Sequence, residues 1–348
     1  MKLRVDIVKI VGNFRLDVQL EAGEGGALAL LGASGSGKST ALRCIAGLTE
    51  PDEGRIMLDG EPLFDSFRHI NVPARKRRIG LLLPGYALFP HLTVRRNIAA
   101  AVESRADRER VAEDFLRRFR LTEAADKKPR QLSELERQRT ALARLSASHP
   151  SALILDEPLS TLDSFLKSGV EQELSDFLDG FDGPVVWASH DRGEVYRNCS
   201  YVCVLENGAS QEIISAERLL NHPGTEGAAR LSGCKNIIGA IPRHNAVFIP
   251  EWGVTLRSAY PIPPLLNRVG IRAHQVRISE PALVNAFEAA VEQVIEDVSS
   301  TIVLLRPSGA AENAPLLRME IDSATWRTTP DQRHVTVAIG PQDVLLLQ

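Results

Sequence analysis

The stretch GASGSGKST, Gly32 to Thr40, constrains this chain more than any other. It has the form GxxxxGK[ST], follows the apolar run Ala27–Leu31 and leads into a helical pattern over Thr40–Gly47. A strand, a glycine-rich turn and a helix in that order let the backbone curl until successive N–H groups point at phosphate oxygens. The helix then aims its positive dipole end at the same place. Gly32, Ala33, Ser34, Gly35, Ser36, Gly37, Lys38, Ser39 and Thr40 are therefore expected to hold a nucleotide. Lys38 is expected on the β- and γ-phosphates and Ser39 on Mg2+.

The rest of the first 230 residues fits that start. Short apolar runs bounded by turn residues recur at Ala152–Leu155, Val185–Ala188 and Tyr201–Leu205 and read as buried strands. Amphipathic helices lie between them, one with Val111, Phe115, Leu116 and Phe119 on a face, another with Phe165, Leu166, Val170, Leu174, Phe177 and Leu178. Alternating strands and helices imply an α/β domain with a mainly parallel sheet. After about residue 230 the texture changes to short β-like runs at Ala246–Ile249, Thr301–Leu305, Leu316–Ile321 and Val335–Ile339. Val291, Val294, Ile295 and Val298 suit a helix or a strand. The expectation is two domains, 1–230 and 231–348, the second small, all-β and barrel-like.

Composition excludes little but helps. The 41 basic and 44 acidic residues leave a net charge of −3, which gives no electrostatic reason to expect nucleic acid. The run Arg75-Lys76-Arg77-Arg78 reads as solvated surface. No apolar run reaches the length that spans a bilayer, and the alternating N-terminus MKLRVDIVKI lacks a signal-peptide core, so a cytoplasmic location is expected. Cys44, Cys199, Cys203 and Cys234 are scattered and read as buried thiols in a reducing compartment.

SALILDEPLSTLD, Ser151 to Asp163, supplies a second half for the phosphate site. An apolar strand ends in Asp156, able to complete the Mg2+ shell, and Glu157 follows, placed to polarise an attacking water. His190 ends the run Val185–Ala188 in WASHDRGEV, at the strand ends where α/β proteins bind ligands.

With these residues in order, the chain resembles the ATPase subunits of ATP-binding-cassette transporters. The P-loop stretch is similar to that family's Walker A loop, Leu155–Asp156–Glu157 to Walker B with its catalytic glutamate, Ser160–Asp163 to the D-loop, and His190 to the switch histidine. LSELERQRTALAR, Leu132 to Arg144, sits at the signature position, and YALFPHLTVRRNIA, Tyr86 to Ala99, resembles the segment that meets the membrane subunits. The resemblance implies a P-loop ATPase domain with a helical subdomain. It also implies a C-terminal oligosaccharide/nucleotide-barrel-like domain, called TOBE, which the stretch Glu288–Gly309 resembles. LFDS (Leu63–Ser66), ALFPHLTV (Ala87–Val94) and SGCKNI (Ser232–Ile237) resemble the molybdate-importing subgroup. Sulfate, iron, polyamine and sugar importers share the architecture.

What the resemblance implies is an ATP- and Mg2+-using subunit at the cytoplasmic face of the plasma membrane. It would act as a homodimer or beside a second ATPase, on two transmembrane permease subunits and, through them, a substrate-binding protein. Glu157 and His190 would be catalytic, Ser39 and Asp156 would hold the metal, and Ser133 and Asp163 would act across the dimer. A DNA or ribosome factor is disfavoured by the segment Leu88–Val94 and the β-rich tail.

The departures concern the chemistry. LSELE replaces the glycines of LSGGQ with Glu134 and Leu135. A carboxylate about 5 Å from one phosphate charge costs about 3 kcal/mol at an effective dielectric near 20. Ser133 and Glu136 still form an S-x-x-E capping box. Pro84 stands where the family has glutamine, and it lacks both a side-chain oxygen and an N–H. Arg96 stands for the usual glutamate. The adenine-stacking position falls near Ile10–Val11, with Phe14 either a substitute or a core residue. An active transporter ATPase and a weakly hydrolysing nucleotide-binding subunit both remain open at this point.

Overall fold

The computed structural model describes the whole chain except Glu24, Thr161, Val298 and Ser299, and gives only the backbone of Ser164, Phe165 and Leu166. The residues 165, 166 and 298 of the sequence patterns above thus lie outside the described side chains or residues. Chain contacts divide the protein into Met1–Ala216 and Glu217–Gln348, ahead of the change in texture near residue 230.

The first unit is built on a 12-stranded sheet. Its parallel part runs in the order Cys199–Glu206, Ala27–Leu31, Val185–Ser189, Ala152–Asp156, Ile79–Leu82. Ala27–Leu31, Ala152–Asp156 and Val185–Ser189 are buried at every position, which is why they read as unbroken apolar runs. On the other side the sheet turns antiparallel through Phe14–Ala22, Leu3–Val11 and Glu53–Leu58. Leu3–Val11 begins with strict alternation of buried and exposed residues, the pattern of a strand with one wet face.

A helical subdomain packs around Val94, Ile98, Ala112, Leu116, Leu121, Leu132 and Ala143. Its helices are Val94–Ala99, Arg108–Arg118 and Glu134–Ala147. Leu116 is fully buried there, and Val111, Phe115 and Phe119 pack on the same cluster. In helix Ser164–Asp179, Val170 and Leu174 are buried.

The second unit is all-β apart from short helices. Among the described residues, three antiparallel sheets of three, three and five strands contribute to a core that includes Val247, Leu256, Val269, Val303, Leu317 and Val337. The open choice at Val291, Val294 and Ile295 resolves to strand: all three lie in Ala286–Glu296, paired with Ser300–Pro307 around an irregularity between Val291 and Gln293. The partner strand alternates buried and half-buried residues along its whole length, and this supplies the ladder that β-branched residues favour.

The four cysteines are free and buried. Burial pushes the Cys44 thiol up to about 11 and those of Cys199 and Cys203 up to about 12.

Candidate functional site

The phosphate loop leaves strand Ala27–Leu31 and enters helix Lys38–Ala46. Gly35 (φ 81°) and Gly37 (φ 104°) take left-handed backbone that other residues rarely adopt. A Cβ on Gly37 would lie 2.7 Å from Leu16 Cδ1 and 3.2 Å from the Phe14 ring. Phe14, half-buried, is thus packed against the loop and the edge of the core. Gly37 caps the helix without a side-chain hydrogen bond, which leaves the first-turn N–H groups to other acceptors such as a phosphate.

Lys38 is buried, and its Nζ donates to Gly32 O (2.8 Å) and Ala33 O (3.0 Å). The same Nζ lies 3.4 Å from Glu157 Oε1. Ser39 Oγ donates to Asp156 Oδ1 at 3.1 Å. Burial raises the Asp156 carboxyl above the usual carboxylate range, the Ser39 bond opposes this, and the Glu157 charge adds to it. A hydroxyl beside a buried carboxylate, both hard oxygen donors, fits a small divalent cation such as Mg2+.

Glu157 is held in left-handed backbone (φ 46°), its N–H bonded to Ala188 O at 3.0 Å. Its Oε2 lies 3.3 Å from His190 Nδ1. The His190 loop is fixed from behind. Asp191 caps helix Arg192–Asn198 by accepting from Gly193 N and Glu194 N. Lys167 Nζ bridges Asp191 and Glu194, each at 2.7 Å, and Ser189 Oγ donates to Glu194 Oε2 at 2.7 Å. Two strand ends thus bring Glu157 and His190 to the loop that carries Lys38 and Ser39.

Ser133 and Asp163 stand on other elements. Ser133 caps helix Glu134–Ala147, accepting from Glu136 N, while the Glu136 carboxylate accepts from Ser133 N at 2.7 Å. The capping box forms as its sequence implies. Glu134 is paired with Arg137 Nη1 at 3.2 Å, so its charge is not bare, contrary to the isolated carboxylate considered from sequence. Asp163 is the N-cap of helix Ser164–Asp179, exposed, with no side-chain cap bond.

Sequence reasoning missed several residues that shape the site. Arg77, assigned with its neighbours to solvated surface, is 1% exposed. It donates to Cys44 O and Ile45 O (both 2.8 Å), at the C-terminal end of the phosphate-loop helix, and to Val72 O (2.8 Å) and Asn71 Oδ1 (2.9 Å). The helix end needs donors, and Gly47 (φ 77°) makes room: its Cβ would lie 2.5 Å from Arg77 Nε. Asn97, fully buried, accepts from Phe89 N and donates to Phe89 O, Leu92 O and Thr93 O, fixing the segment that carries the half-exposed Phe89. Gly47 after a helix was a sequence signal for the first, but nothing local marks Asn97. Ile10 and Val11, at the hairpin beside Phe14, are more than half exposed.

The pattern of the family described as ABC transporter matches residues 16–160. The molybdenum import ATP-binding protein of Mycobacterium tuberculosis (strain ATCC 25618 / H37Rv) is 38% identical over 246 residues, 68% of this chain and 67% of that protein. The sulfate/thiosulfate import ATP-binding protein of Synechocystis sp. is 37% identical, over 70% of this chain and 68% of its own. The putrescine transport ATP-binding protein of Escherichia coli (strain K12) is 33% identical, over 80% and 76%. Among solved structures, a dimeric post-hydrolysis ATP-binding cassette bound to ADP and Pi matches with a TM-score of 0.50 and 28% identity, covering 62% of this chain and 99% of that one.

Proposed function

The chain belongs to the ABC transporter family, and from that premise we propose that it energises a molybdate importer by hydrolysing Mg-ATP at the site built from Lys38, Ser39, Asp156, Glu157 and His190. It is the ATP-binding ATPase subunit of an importer, acting as a dimer on membrane permease subunits. It is peripheral to the membrane, and no helix among the described residues is long and apolar enough to cross one. We assign 1–230 to the nucleotide-binding domain and 231–348 to a regulatory TOBE-like domain. We place the protein at the cytoplasmic face, with a substrate-binding protein as indirect partner.

The observation that carries this reading is the convergence of ammonium, hydroxyl and carboxylates on one loop. Lys38 now bonds loop carbonyls and faces Glu157. Arriving β- and γ-phosphates, held by residues 32–40, offer it stronger charge-assisted partners. Mg2+ held by Ser39 and Asp156 would neutralise phosphate charge. Glu157 is then free to orient a water and accept its proton, and His190 is placed to touch the γ-phosphate. Ser133 and Asp163 act on the site of the opposed subunit.

Molybdate is supported by Leu63–Ser66, Ala87–Val94 and Ser232–Ile237; relatives named for sulfate and putrescine are similar at nearly the same identity. A second reading, a slow or silent site, is favoured by Pro84, Glu134 and Leu135.

The test is ATP hydrolysis by the protein reconstituted with its membrane subunits, beside Glu157→Gln and a triple variant with Pro84→Gln, Glu134→Gly and Leu135→Gly. Turnover lost in Glu157→Gln and stimulated by molybdate rather than sulfate or putrescine supports the proposal. Turnover that appears only in the triple variant supports the second reading.

A further inference from the structure

His190 leaves the backbone between two residues whose side chains are tied down, while its own side chain is half exposed. On one side the buried Ser189 hydroxyl accepts from Asp191 N at 3.0 Å and donates to Glu194 Oε2 at 2.7 Å. On the other, Asp191 Oδ1 accepts from Gly193 N at 2.7 Å and from Glu194 N at 3.3 Å. These bonds close on one another within residues 189–194. They set the shape of the turn, and with it the direction of the His190 side chain, but not the place of the turn in the molecule.

That place is held at the turn's two ends. At the entry, Gly32 N donates to Ser189 O at 3.3 Å and continues the sheet. At the exit, Lys167 Nζ reaches Asp191 Oδ2 and Glu194 Oε1, both at 2.7 Å. Glu194 is 3% exposed, so its carboxylate is a buried charge that needs a partner, and the ammonium supplies one. Burial works against the Lys167 charge, yet its bonds to the two carboxylates hold the ammonium above its ordinary range.

The helix that carries Lys167 begins at Asp163, and Lys167 N donates to Asp163 O at 3.0 Å. One helical turn therefore separates the anchor of the His190 turn from the residue assigned above to the opposed subunit's site. A turn further along, Glu171 accepts from Arg197 Nε (2.8 Å) and Nη2 (3.0 Å) and from Asn198 Nδ2 (2.5 Å). The far end of helix Arg192–Asn198 is thus docked on its own account, and loss of Lys167 frees the end that bears His190.

We propose that Lys167 is a positioning residue for hydrolysis: it makes the His190 turn ride on helix Ser164–Asp179, so that contact with the opposed subunit at the start of that helix sets where the histidine meets the γ-phosphate. For turnover this rests on the ATPase reading above.

The test uses the full chain with its membrane subunits, as Lys167→Met, as Lys167→Met combined with Glu194→Gln, and as Lys167→Arg. The combined variant keeps the local charge as it is in the native chain, so a loss that persists there comes from the missing fastening and not from a stranded carboxylate. It also carries the test if Lys167→Met alone does not fold. Single-turnover hydrolysis and hydrogen exchange over 189–194 are read together. Expected in both methionine variants are a kcat lower by about tenfold or more, an unchanged KM for ATP, and faster exchange over 189–194. Lys167→Arg, whose guanidinium can bridge the same two carboxylates, should restore most of both. In a His190→Ala background Lys167→Met should cost nothing further, because the lysine acts through the histidine. Native kcat in the combined variant, whatever its melting temperature, overturns the proposal, as does an equal loss in the His190→Ala background. If the native chain binds ATP without hydrolysing it, the ATPase reading alone fails. Exchange then decides: faster exchange in the combined variant retains the link, and native exchange overturns it.

Discussion

Replacing Arg77 by Met tests how the phosphate loop is anchored from behind. The substitution keeps a long side chain but removes four donated bonds, to Cys44 O, Ile45 O, Val72 O and Asn71 Oδ1. Not all four count equally. Cys44 O keeps Gly47 N as a partner, and Asn71 is exposed and can turn to water. Ile45 O, whose bond is buried, loses its donor at about 1–3 kcal/mol, and the half-buried Val72 O loses one at about the low end of that range. A cation at a partly buried helix C-terminus adds up to about 2 kcal/mol that the variant also loses. Burial already works against the charge, holding the guanidinium below its ordinary value, which returns part of the loss. The net is about 3–5 kcal/mol, a large fraction of a typical domain's stability of about 5–15 kcal/mol. At about 2–4 °C per kcal/mol for a domain of this size, the melting temperature of the first unit should fall by roughly 10 °C. Calorimetry on the full chain with and without ATP reads it, with Arg77→Lys expected between the two. A loss below about 1 kcal/mol for Arg77→Met would refute the reasoning, since it would mean the helix end finds other donors at no cost.

Other expectations follow from the same geometry. Thiol labelling of the native protein at pH 8 should be slow at all four cysteines and complete after unfolding, because burial holds them protonated; rapid labelling of any one of them in the native state would contradict the packing. Asp156→Asn should raise the melting temperature of nucleotide-free protein while abolishing hydrolysis. The Asp156 pKa is raised on folding, so its contribution is favourable below the ordinary carboxylate value and is lost as pH rises through the folded pKa. The gain from Asn should therefore be larger at pH 8 than at pH 4, and a gain independent of pH would count against it. With Phe14 packed under Gly37, and with the exposed hydrophobic side chains of the hairpin, Ile10 and Val11, both aliphatic, ATP and GTP should bind with similar affinity, and Val11→Tyr should tighten ATP; strong native preference for ATP in a binding titration would show that another group holds the base.

What sequence could show was set by how local the cause is. Ala27–Leu31, Ala152–Asp156 and Val185–Ser189 were legible because strands buried on both faces leave an unbroken apolar run. The loop from Gly32 to Thr40 and the capping box at Ser133 and Glu136 were legible because each spans a few consecutive residues. Arg77 was not, since its partners Cys44 and Ile45 lie more than 30 residues away, and a basic run looks the same whether solvated or buried. Phe14 was ambiguous for a similar reason: what fixes it is Gly37, across a strand and a turn. Val291, Val294 and Ile295 were ambiguous because their spacing suits a helix as well as a strand, and the ladder with Ser300–Pro307 decides.

The signature departure looks different once its surroundings are known. Glycines at 134 and 135 would weaken the start of a helix, because glycine loses most conformational freedom there. Glu134 and Leu135 favour the helix instead, and Glu134 sits in its first turn, where a negative charge meets the positive dipole end. Arg137, one turn on, holds that carboxylate at 3.2 Å and brings a guanidinium to the same surface. The unfavourable contact of about 3 kcal/mol expected for an isolated carboxylate near a phosphate is therefore opposed by a cation at comparable range. The balance between the two is steep in ionic strength because both groups are only partly buried. Removing Arg137 rather than Glu134 is thus the substitution that exposes the cost of LSELE: Arg137→Ala should lower kcat/KM for ATP most at low salt, and an effect of equal size at high salt would mean that the charge at 134 never faces the nucleotide.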